Sequence, residues 1–325
     1  MKISETFISK YKPKYLKDLY INDDLLNIIK YLLKADYLNI LLLGPSNSGK
    51  TTILECIIRE YYNLSENARF PHNNMMIINN LKEQGVNYYR NEMKTFCQSN
   101  STIFGKKKMV IIDDIDTLSE QSQQVFRNYI DKYKNNVNFI CVCSNIQKII
   151  ESIQSRLNIF KIIPLSTNEN KKIMDNIIKN ENMQIKEDVK EYLIKISNNN
   201  IRNIIHNLEK IHIYSIGNND PTLEICKSLC SNISISKFEE YIECIKKNKL
   251  SNAINIIYSF HDYGYSVIDI LEFFFYFIKI TENISEIQKY KCIPIICNYI
   301  SIFNKLQEHS IELSLFTNDI FNIIN

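Results

Sequence analysis

The feature that most constrains this chain is a loop in which two glycines, separated by four residues, are followed by lysine and threonine. The loop consists of Gly44, Pro45, Ser46, Asn47, Ser48, Gly49, Lys50 and Thr51. An apolar run at 40–43 precedes it, as in a buried strand, and apolar residues at helical spacing follow it. A strand that turns into a helix in this way directs backbone N–H groups and the positive end of the helix dipole at one point. The sequence therefore predicts a polyphosphate site, with Lys50 on the β- and γ-phosphates and the Thr51 hydroxyl on Mg²⁺.

Composition narrows the classes of protein to which this chain can belong. The chain has 325 residues, enough for two or three domains, and its formal charge of +3 gives no global basic field. Contact with nucleic acid would therefore need a local patch. The first residues contain no apolar stretch of signal-peptide length, and the longest apolar run, 271–280, is too short to span a bilayer. We expect a soluble, intracellular chain with no membrane partner.

The nine cysteines do not follow a metal-binding spacing. No CxxC pair exists, and Cys226 and Cys230 lack a second pair of ligands nearby. Cys141 and Cys143 alternate along an apolar strand, where we expect small buried side chains. A reducing compartment is the better inference.

Short apolar runs alternate with helical patterns in the first half of the chain. They lie at 40–43, 75–78, 109–112, 139–143 and 159–163. This alternation predicts an α/β fold with a parallel sheet covered on both faces. From Asn168 onward the pattern is helical, and residues 217–221 form a cluster of helix-breaking residues. We expect three domains: a nucleotide-binding α/β domain at 1–165, a helical lid at 166–221, and a helical domain at 222–325.

A second chemical signal follows the third apolar run, which ends in three acids. Asp113, Asp114 and Asp116 stand there within four positions. A carboxylate at the end of a strand beside a phosphate loop is suited to hold Mg²⁺, and we assign this role to Asp113. Asp114 is the candidate for orienting or deprotonating the attacking water. Asp116 is a candidate cap for a helix that starts near Leu118.

Four further segments carry a family resemblance. Residues 10–19 contain a basic-Tyr-basic-Pro run followed by Asp-Leu, and residues 78–86 and 123–133 match further motifs in order. Residues 149–156 are close to the run Ile-Ile-Glu-Pro-Ile-Gln-Ser-Arg. In these features the chain resembles the small subunits of AAA+ clamp loaders, as in replication factor C, up to the segment that contains Arg202.

The resemblance implies a fold and a set of roles. The fold is an AAA+ parallel-sheet domain with a helical lid and a C-terminal all-α collar. The cofactors are ATP and Mg²⁺, with Tyr11 and Pro13 near the adenine and Thr52 included in the binding loop. Arg156 is the arginine finger, which acts in trans on ATP of a neighbouring subunit. Arg202 is the lid arginine that touches the γ-phosphate of the chain's own ATP.

The implied partners are other subunits in a hetero-pentamer, a sliding clamp and primer–template DNA. The nucleus or a viral replication factory is the implied location. Candidate DNA contacts are Gln84, Arg90 and the lysine run 106–108, although a charge run of this kind is more often a solvated loop.

The chain departs from the family at three positions. Asp114 replaces the usual Glu and is one methylene shorter, which predicts slower hydrolysis because small misplacements of a catalytic group are costly. Ser144 stands where the sensor Asn normally falls, and Asn145 would face the other way on a regular strand. Leu157 replaces a Cys that has no obvious chemical role.

Three functions stay open at this point. The chain is an active ATPase subunit of a clamp loader, or a structural subunit that binds ATP and supplies Arg156 to a neighbour. The third possibility is another AAA+ machine, such as an origin-binding protein or helicase loader. That machine would be expected to carry an appended DNA-binding domain with β-hairpin signals, which residues 222–325 do not show.

Overall fold

The structure, a computed structural model, describes residues 5–78, 86–197, 199–217, 222–230, 235–281, 283–303 and 307–324. Contacts within the chain divide it into two compact units, Met1–Asp220 and Pro221–Asn325. The segment 79–85, which includes Gln84 and part of one family motif, lies outside the described residues, as do 218–221 of the helix-breaking cluster.

A five-stranded parallel sheet forms the centre of the first unit. Its strands are β1 (Ile40–Leu43), β2 (Met75–Ile78), β3 (Lys108–Ile112), β4 (Val137–Cys143) and β5 (Asn158–Lys161). Their order is β2-β3-β4-β1-β5, and each neighbouring pair is parallel. Leu43 pairs with Cys143, and Ile112 pairs with Cys141. The loops after β1, β3 and β4 therefore leave from one edge, which we call the carboxyl edge. The prediction of a parallel α/β fold is confirmed.

Helices cover both faces of this sheet. They are α2 (Asp23–Lys34), α3 (Lys50–Tyr61), α4 (Val86–Gln98), α5 (Glu120–Tyr133) and α6 (Glu151–Gln154), whereas the short helix α1 (Phe7–Lys10) packs instead against residues 201–217. Leu42 of β1 packs into a core with Ile57 of α3, and the adjacent Leu41 packs into a second core with Phe126 of α5. Burial on both faces explains why the central strands β1, β3 and β4 are largely apolar, whereas the edge strand β5, with the sequence Asn-Ile-Phe-Lys, is mostly exposed.

Three helices follow the sheet in the first unit, and we call them the lid helices. They are α7 (Thr167–Asn180), α8 (Glu187–Ile196) and α9 (Ile201–Gly217). The first begins with a capping box, in which Ser166 Oγ accepts from Glu169 N at 3.3 Å and the Glu169 carboxylate accepts from Ser166 N at 2.7 Å. Asn170 Nδ2 donates to Asn199 O at 2.9 Å and so holds the start of α9 near α7.

The second unit is helical in every residue that the structure assigns to an element. Its helices are α10 (Leu223–Cys230), α11 (Ile235–Lys246), α12 (Leu250–Asp262), α13 (Val267–Ile280), α14 (Glu286–Phe303) and α15 (Ile311–Ile324). Phe274 and Phe277 are buried in one core with Phe238 and Phe316, whereas Glu272 and Lys279 are exposed. The aromatic run of α13 is therefore a packed helix face.

Cys141 and Cys143 are buried in β4, as predicted, and burial raises the pKa of the Cys143 thiol to about 12. Across the described ranges, no cluster of His, Cys, Asp and Glu is arranged to hold a metal ion. No helix in that part of the chain combines the length and apolar character needed to cross a membrane.

Candidate nucleotide-binding site

The phosphate loop, residues 44–51, leaves the sheet between two neighbouring strands. Gly44 N donates to Cys143 O at 3.3 Å. A Cβ on Gly44 would lie 2.7 Å from Ile162 O and 2.8 Å from Ser48 Oγ, so the loop admits only glycine there without a backbone shift. Gly49 has a φ of 88°, in the left-handed region that favours glycine, and α3 begins at the next residue. The unpaired N–H groups of the first turn of α3 are thereby free to bind an anion.

Lys50 is buried over its own loop. Its Nζ donates to Gly44 O and Pro45 O, each at 2.8 Å, and to Ser144 Oγ at 3.3 Å. Ser48 Oγ is also buried and has no hydrogen-bond partner in the described part of the chain. A buried cation, an orphaned hydroxyl and a helix start thus converge on one loop, and this donor set fits a polyphosphate. Four residues of the loop are exposed, namely Pro45, Ser46, Asn47 and Thr51, and the adjacent Thr52 is half-buried.

Asp113 and Asp114 lie at the carboxyl edge, directly after β3. Asp113 N donates to Ile78 O at 3.1 Å, which extends the pairing of β3 with β2 by one residue. Burial, with the charge of Asp114, raises the pKa of Asp113, and the charge of Lys50 acts against this shift. Asp114 has a φ of 50° and is exposed. A divalent cation on Asp113 would relieve both the burial and the repulsion, so the pair fits Mg²⁺.

The prediction that Asp116 caps a helix near Leu118 is wrong. The helix begins at Glu120, and its cap is Ser119, whose side chain accepts from Ser122 N. Asp116 Oδ2 instead accepts from Ser144 N at 3.2 Å and from Asn145 N at 3.0 Å. This carboxylate therefore ties the loop after β3 to the loop after β4.

Ser144 and Asn145 have different surroundings at the end of β4. Ser144 Oγ accepts from Lys50, so its hydroxyl lies beside the phosphate loop. Asn145 Oδ1 accepts from Gln147 N at 2.9 Å and caps a short turn. Of the two side chains, the one that contacts Lys50 is Ser144.

Gln123 is a structural residue of the site that the sequence analysis missed. It is fully buried in α5, where its Nε2 donates to Lys148 O at 2.9 Å and to Leu118 O at 3.1 Å. Its Oε1 accepts from Ile150 N at 3.0 Å. The side chain thus links the loop after β3 to the segment that leads to Arg156. A glutamine on the apolar face of a helix is the signal that could have identified it.

Arg156 follows α6 and lies in an ion pair within its own chain. Its Nε donates to Asp131 Oδ1 at 2.6 Å, and one terminal nitrogen donates to Ser152 O at 2.6 Å. The hydrogen bond from Arg156, together with its charge, holds the pKa of Asp131 below its ordinary range. Arg127, one helical turn before Asp131, approaches the other carboxylate oxygen at 3.8 Å. Among the described residues, no hydrogen-bond partner of Arg156 belongs to the phosphate loop.

Arg202 is exposed near the start of α9. Its backbone N donates to Asn200 Oδ1 at 3.1 Å, so the start of the helix is capped and the guanidinium extends from the first turn.

The two residues predicted to lie near the adenine contact different helices. Tyr11 OH donates to Glu181 Oε1, at the end of α7, at 2.5 Å. Pro13 O accepts from Cys56 Sγ of α3 at 3.4 Å.

The lysine run 106–108 is neither a solvated loop nor a free basic patch. Lys108 is buried, and its Nζ donates to Phe96 O at 3.1 Å and Ser99 Oγ at 2.5 Å. Lys107 Nζ donates to Asp36 O at 2.7 Å, and the Lys106 ammonium lies 4.7 Å from the centre of the Tyr61 ring. The prediction of DNA contact is therefore wrong for Lys108 and unsupported for its neighbours. Arg90 remains an exposed candidate.

Comparison with known proteins shows what this chain is similar to. Residues 40–165 match the family model described as "ATPase family associated with various cellular activities (AAA)". The chain is 30% identical to "Replication factor C subunit 3" of Schizosaccharomyces pombe over 63% of this chain and 59% of that protein. It is 25% identical to "Probable replication factor C subunit 2" of Dictyostelium discoideum over 87% of this chain and 82% of that protein. RuvB from Thermotoga maritima shares the fold, with a TM-score of 0.53 at 14% identity over 74% of this chain and 80% of that chain.

Residues 40–165 are therefore similar to the AAA family of ATPases. The predicted resemblance is confirmed: the chain is a relative of the replication factor C small subunits. The match spans about three fifths of the length of the first relatives, 59% of the Schizosaccharomyces pombe protein and 61% of the Oryza sativa one.

Proposed function

We propose that this chain is an ATP-dependent subunit of a clamp loader, which helps to open a sliding clamp and place it on primer–template DNA. The observation that carries the proposal is the joint arrangement at the carboxyl edge. Buried Lys50, orphaned Ser48 and the acids after β3 meet there in a chain related to replication factor C small subunits.

The nucleotide site has a role for each residue of the loop. The N–H groups at the start of α3 and the Lys50 ammonium bind the β- and γ-phosphates of ATP. Thr51 and Asp113 hold Mg²⁺, which would neutralise charge on the β- and γ-oxygens. Asp114 orients the attacking water, and Ser144 binds the γ-phosphate or that water through its hydroxyl. Tyr11 and Pro13 contribute to the base subsite.

Two arginines would link the nucleotide site to movement of the lid helices and to a neighbouring subunit. Arg156 stabilises negative charge on ATP held by the next subunit, which requires it to exchange Asp131 for phosphate. Arg202 contacts the γ-phosphate of the chain's own ATP from the lid helices. The angle of the lid would then depend on the nucleotide.

The proposed assembly contains other clamp-loader subunits as a hetero-pentamer, with the clamp and DNA as its substrates. We retain the division into an α/β domain at 1–165, a lid at 166–221 and a collar at 222–325 as part of this proposal. The packed apolar helices of the collar would carry the contacts between subunits.

A second candidate function is an ATP-binding structural subunit that donates Arg156 and hydrolyses its own ATP poorly. Two observations favour it: Asp114 is shorter than the family's Glu, and Ser144 replaces the sensor Asn. A different AAA+ machine, such as an origin-binding protein or helicase loader, is less well supported because the described part of 222–325 contains helices and no β-hairpin.

The test is steady-state ATPase activity of the complex with its copurifying partners, with and without primed DNA and clamp. Wild type is compared with Lys50→Ala and Arg156→Ala. Arg127→Ala is a matched control, because Arg127 also approaches Asp131 but has no proposed contact with ATP.

Stimulated hydrolysis that is lost in Lys50→Ala and reduced in Arg156→Ala, but kept in Arg127→Ala, would support an active subunit. An unchanged rate in Lys50→Ala with a reduced rate in Arg156→Ala would favour the structural subunit. No stimulation by DNA or clamp, with partners present, would overturn the clamp-loader proposal.

A further inference from the structure

The backbone at the end of β4 is held from both sides at the carboxyl edge. On one side, Gly44 N of the phosphate loop donates to Cys143 O at 3.3 Å. On the other side, Asp116 Oδ2 accepts from Ser144 N at 3.2 Å and from Asn145 N at 3.0 Å. The chain at this point is therefore bonded both to the phosphate loop and to the loop that follows β3.

Asp116 belongs to the same short turn as Asp114. Asp114 begins the turn with a φ of 50°, and Thr117 N and Thr117 Oγ1 both donate to Asp114 O, at 3.0 and 2.6 Å. Leu118 N donates to Ile115 O at 3.2 Å and closes the turn. Because the two acids share this turn, the bonds that Asp116 makes also fix the backbone of the acid proposed to orient the attacking water.

The carboxylate of Asp116 carries a cost that the stability of the fold does not explain. Its Oδ1 is buried and has no hydrogen-bond partner in the part of the chain that the structure describes. A carboxylate oxygen that leaves water without gaining a donor costs free energy. An acid that is kept in such surroundings is better explained by a role at a site than by folding.

Ser144 connects Asp116 to Lys50 of the phosphate loop. Burial raises the pKa of the Cys143 thiol to about 12, and the charge of Asp116 adds to this rise while that of Lys50 opposes it. Both charges therefore lie near the end of β4. Ser144 N is bonded to Asp116, and Ser144 Oγ accepts from Lys50 Nζ at 3.3 Å. A serine hydroxyl is one rotatable bond from the backbone, so a fixed backbone limits where that hydroxyl can lie.

We infer that Asp116 is a positioning residue for the γ-phosphate: it fixes the backbone of Ser144 so that the hydroxyl meets this phosphate, and the site thereby prefers ATP to ADP. The inference rests on the proposed function, because it takes the phosphate loop as the nucleotide site. Asp116 contacts neither nucleotide nor Mg²⁺ in this account and acts through Ser144.

The experiment compares two ligands that share the base, the ribose and two phosphates and differ only in the γ-phosphate: ATP and ADP. Their dissociation constants are measured by calorimetry on the purified full chain with Mg²⁺. The variants are Asp116→Ala, Asp116→Asn, Ser144→Ala and the double variant Asp116→Ala/Ser144→Ala. Asp36→Asn is the matched control, because Asp36 is also a half-buried carboxylate that accepts a hydrogen bond, from Tyr61 OH at 2.5 Å, and it lies before β1, at the opposite edge of the sheet.

We expect Asp116→Ala and Ser144→Ala each to weaken ATP binding about fivefold, because one hydrogen bond to the γ-phosphate is lost or misplaced. Binding of ADP should change less than about twofold, since ADP lacks the phosphate that Ser144 would contact. The double variant should bind ATP as weakly as Ser144→Ala alone, because Asp116 acts only through that hydroxyl. Asp116→Asn should recover most of the loss, because its amide oxygen still accepts from both N–H groups. Asp36→Asn should leave the affinity for both nucleotides unchanged.

Three results would overturn the inference: an unchanged ratio of ATP to ADP affinity in Asp116→Ala, an equal loss of both nucleotides, or additive effects in the double variant. An equal loss is what a purely structural role would give. If Asp116→Ala is poorly folded, Asp116→Glu answers the question, because it keeps the charge and displaces the carboxylate by one methylene. Its ATP affinity should also fall relative to its ADP affinity, and an unchanged ratio there would count equally against the inference.

Lys50→Ala separates this inference from the proposed function. If Lys50→Ala binds ATP as well as wild type, the phosphate loop is not the nucleotide site and the proposed function fails. If it loses both nucleotides while Asp116→Ala keeps the wild-type preference for ATP, the inference alone fails.

Discussion

A buried lysine lies at each end of the sheet, and the two lysines form similar hydrogen bonds. Lys50, at the carboxyl edge, is 7% exposed and donates to two carbonyl oxygens and the hydroxyl of Ser144. Lys108, at the start of β3, is 4% exposed and donates to one carbonyl oxygen and the hydroxyl of Ser99. Burial and hydrogen bonding alone would describe both as structural lysines.

Their neighbours distinguish them. Lys50 lies beside an orphaned hydroxyl, the open first turn of α3 and the raised-pKa carboxyl of Asp113, all of which favour an added phosphate and cation. Lys108 lies 4.4 Å from the centre of the Phe96 ring and close to the buried thiol of Cys97, whose pKa is raised to about 12 by burial. Burial alone does not show that a lysine belongs to a binding site. A buried lysine indicates such a site when unsatisfied polar groups lie beside it.

The largest expected effect comes from removing each lysine in turn. Lys50→Ala should weaken ATP binding at least about 100-fold, because charge-assisted bonds to the β- and γ-phosphates are lost. Lys108→Met, which fills a similar volume, should leave ATP affinity unchanged. Calorimetric titration of both variants checks this pair, and equal losses of affinity in both would contradict the distinction between the two ends of the sheet.

A smaller effect is expected at the acid that neighbours Lys50. Asp113→Asn removes the negative charge that would hold Mg²⁺. We therefore expect the Mg²⁺ concentration that gives half-maximal ATP binding to rise about tenfold. Titration of Mg²⁺ at fixed ATP measures this shift. Because Asn is isosteric and neutral, the melting temperature should stay the same or rise, since burial disfavours the charged form of Asp113. A normal Mg²⁺ titration would exclude Asp113 as a ligand.

The sequence predicts the fold and the phosphate loop because both depend on local order. Strands buried on both faces are apolar runs, and the loop is a contiguous motif. It does not predict the roles of Asp116 and Lys108, because these depend on contacts between distant segments. Asp116 bonds to Ser144, 28 positions away, and a local rule therefore assigned it to a nearby helix. The partner of Arg156, Asp131, lies 25 positions earlier and could not be identified from the motif.

The next effect concerns the rate rather than the binding of ATP. Asp114→Glu restores the methylene that the family's acid has, and we expect kcat to rise up to about tenfold, because the carboxylate would lie closer to the attacking water. ATP affinity should stay the same. Single-turnover hydrolysis in the assembled complex measures the rate, with Asp116→Glu as a control at an acid that ties two loops together. A rate that falls in Asp114→Glu would mean that the shorter side chain is adapted to this site.

The smallest expected effect is a pH dependence of stability that arises from Lys108. Burial lowers the pKa of Lys108 from its ordinary 10.5, so the unfolded chain binds this proton more tightly than the folded chain does. Between the lowered value and 10.5, stability from this group therefore rises with pH, and the penalty of burying its charge is complete only at lower pH. Lys108→Met has no such penalty. Its stability relative to wild type should fall as the pH rises toward 10.5, as measured by urea unfolding. Titratable groups remote from position 108 ionise alike in both chains and cancel in the difference. A difference that does not change with pH would show that Lys108 keeps its ordinary affinity for the proton.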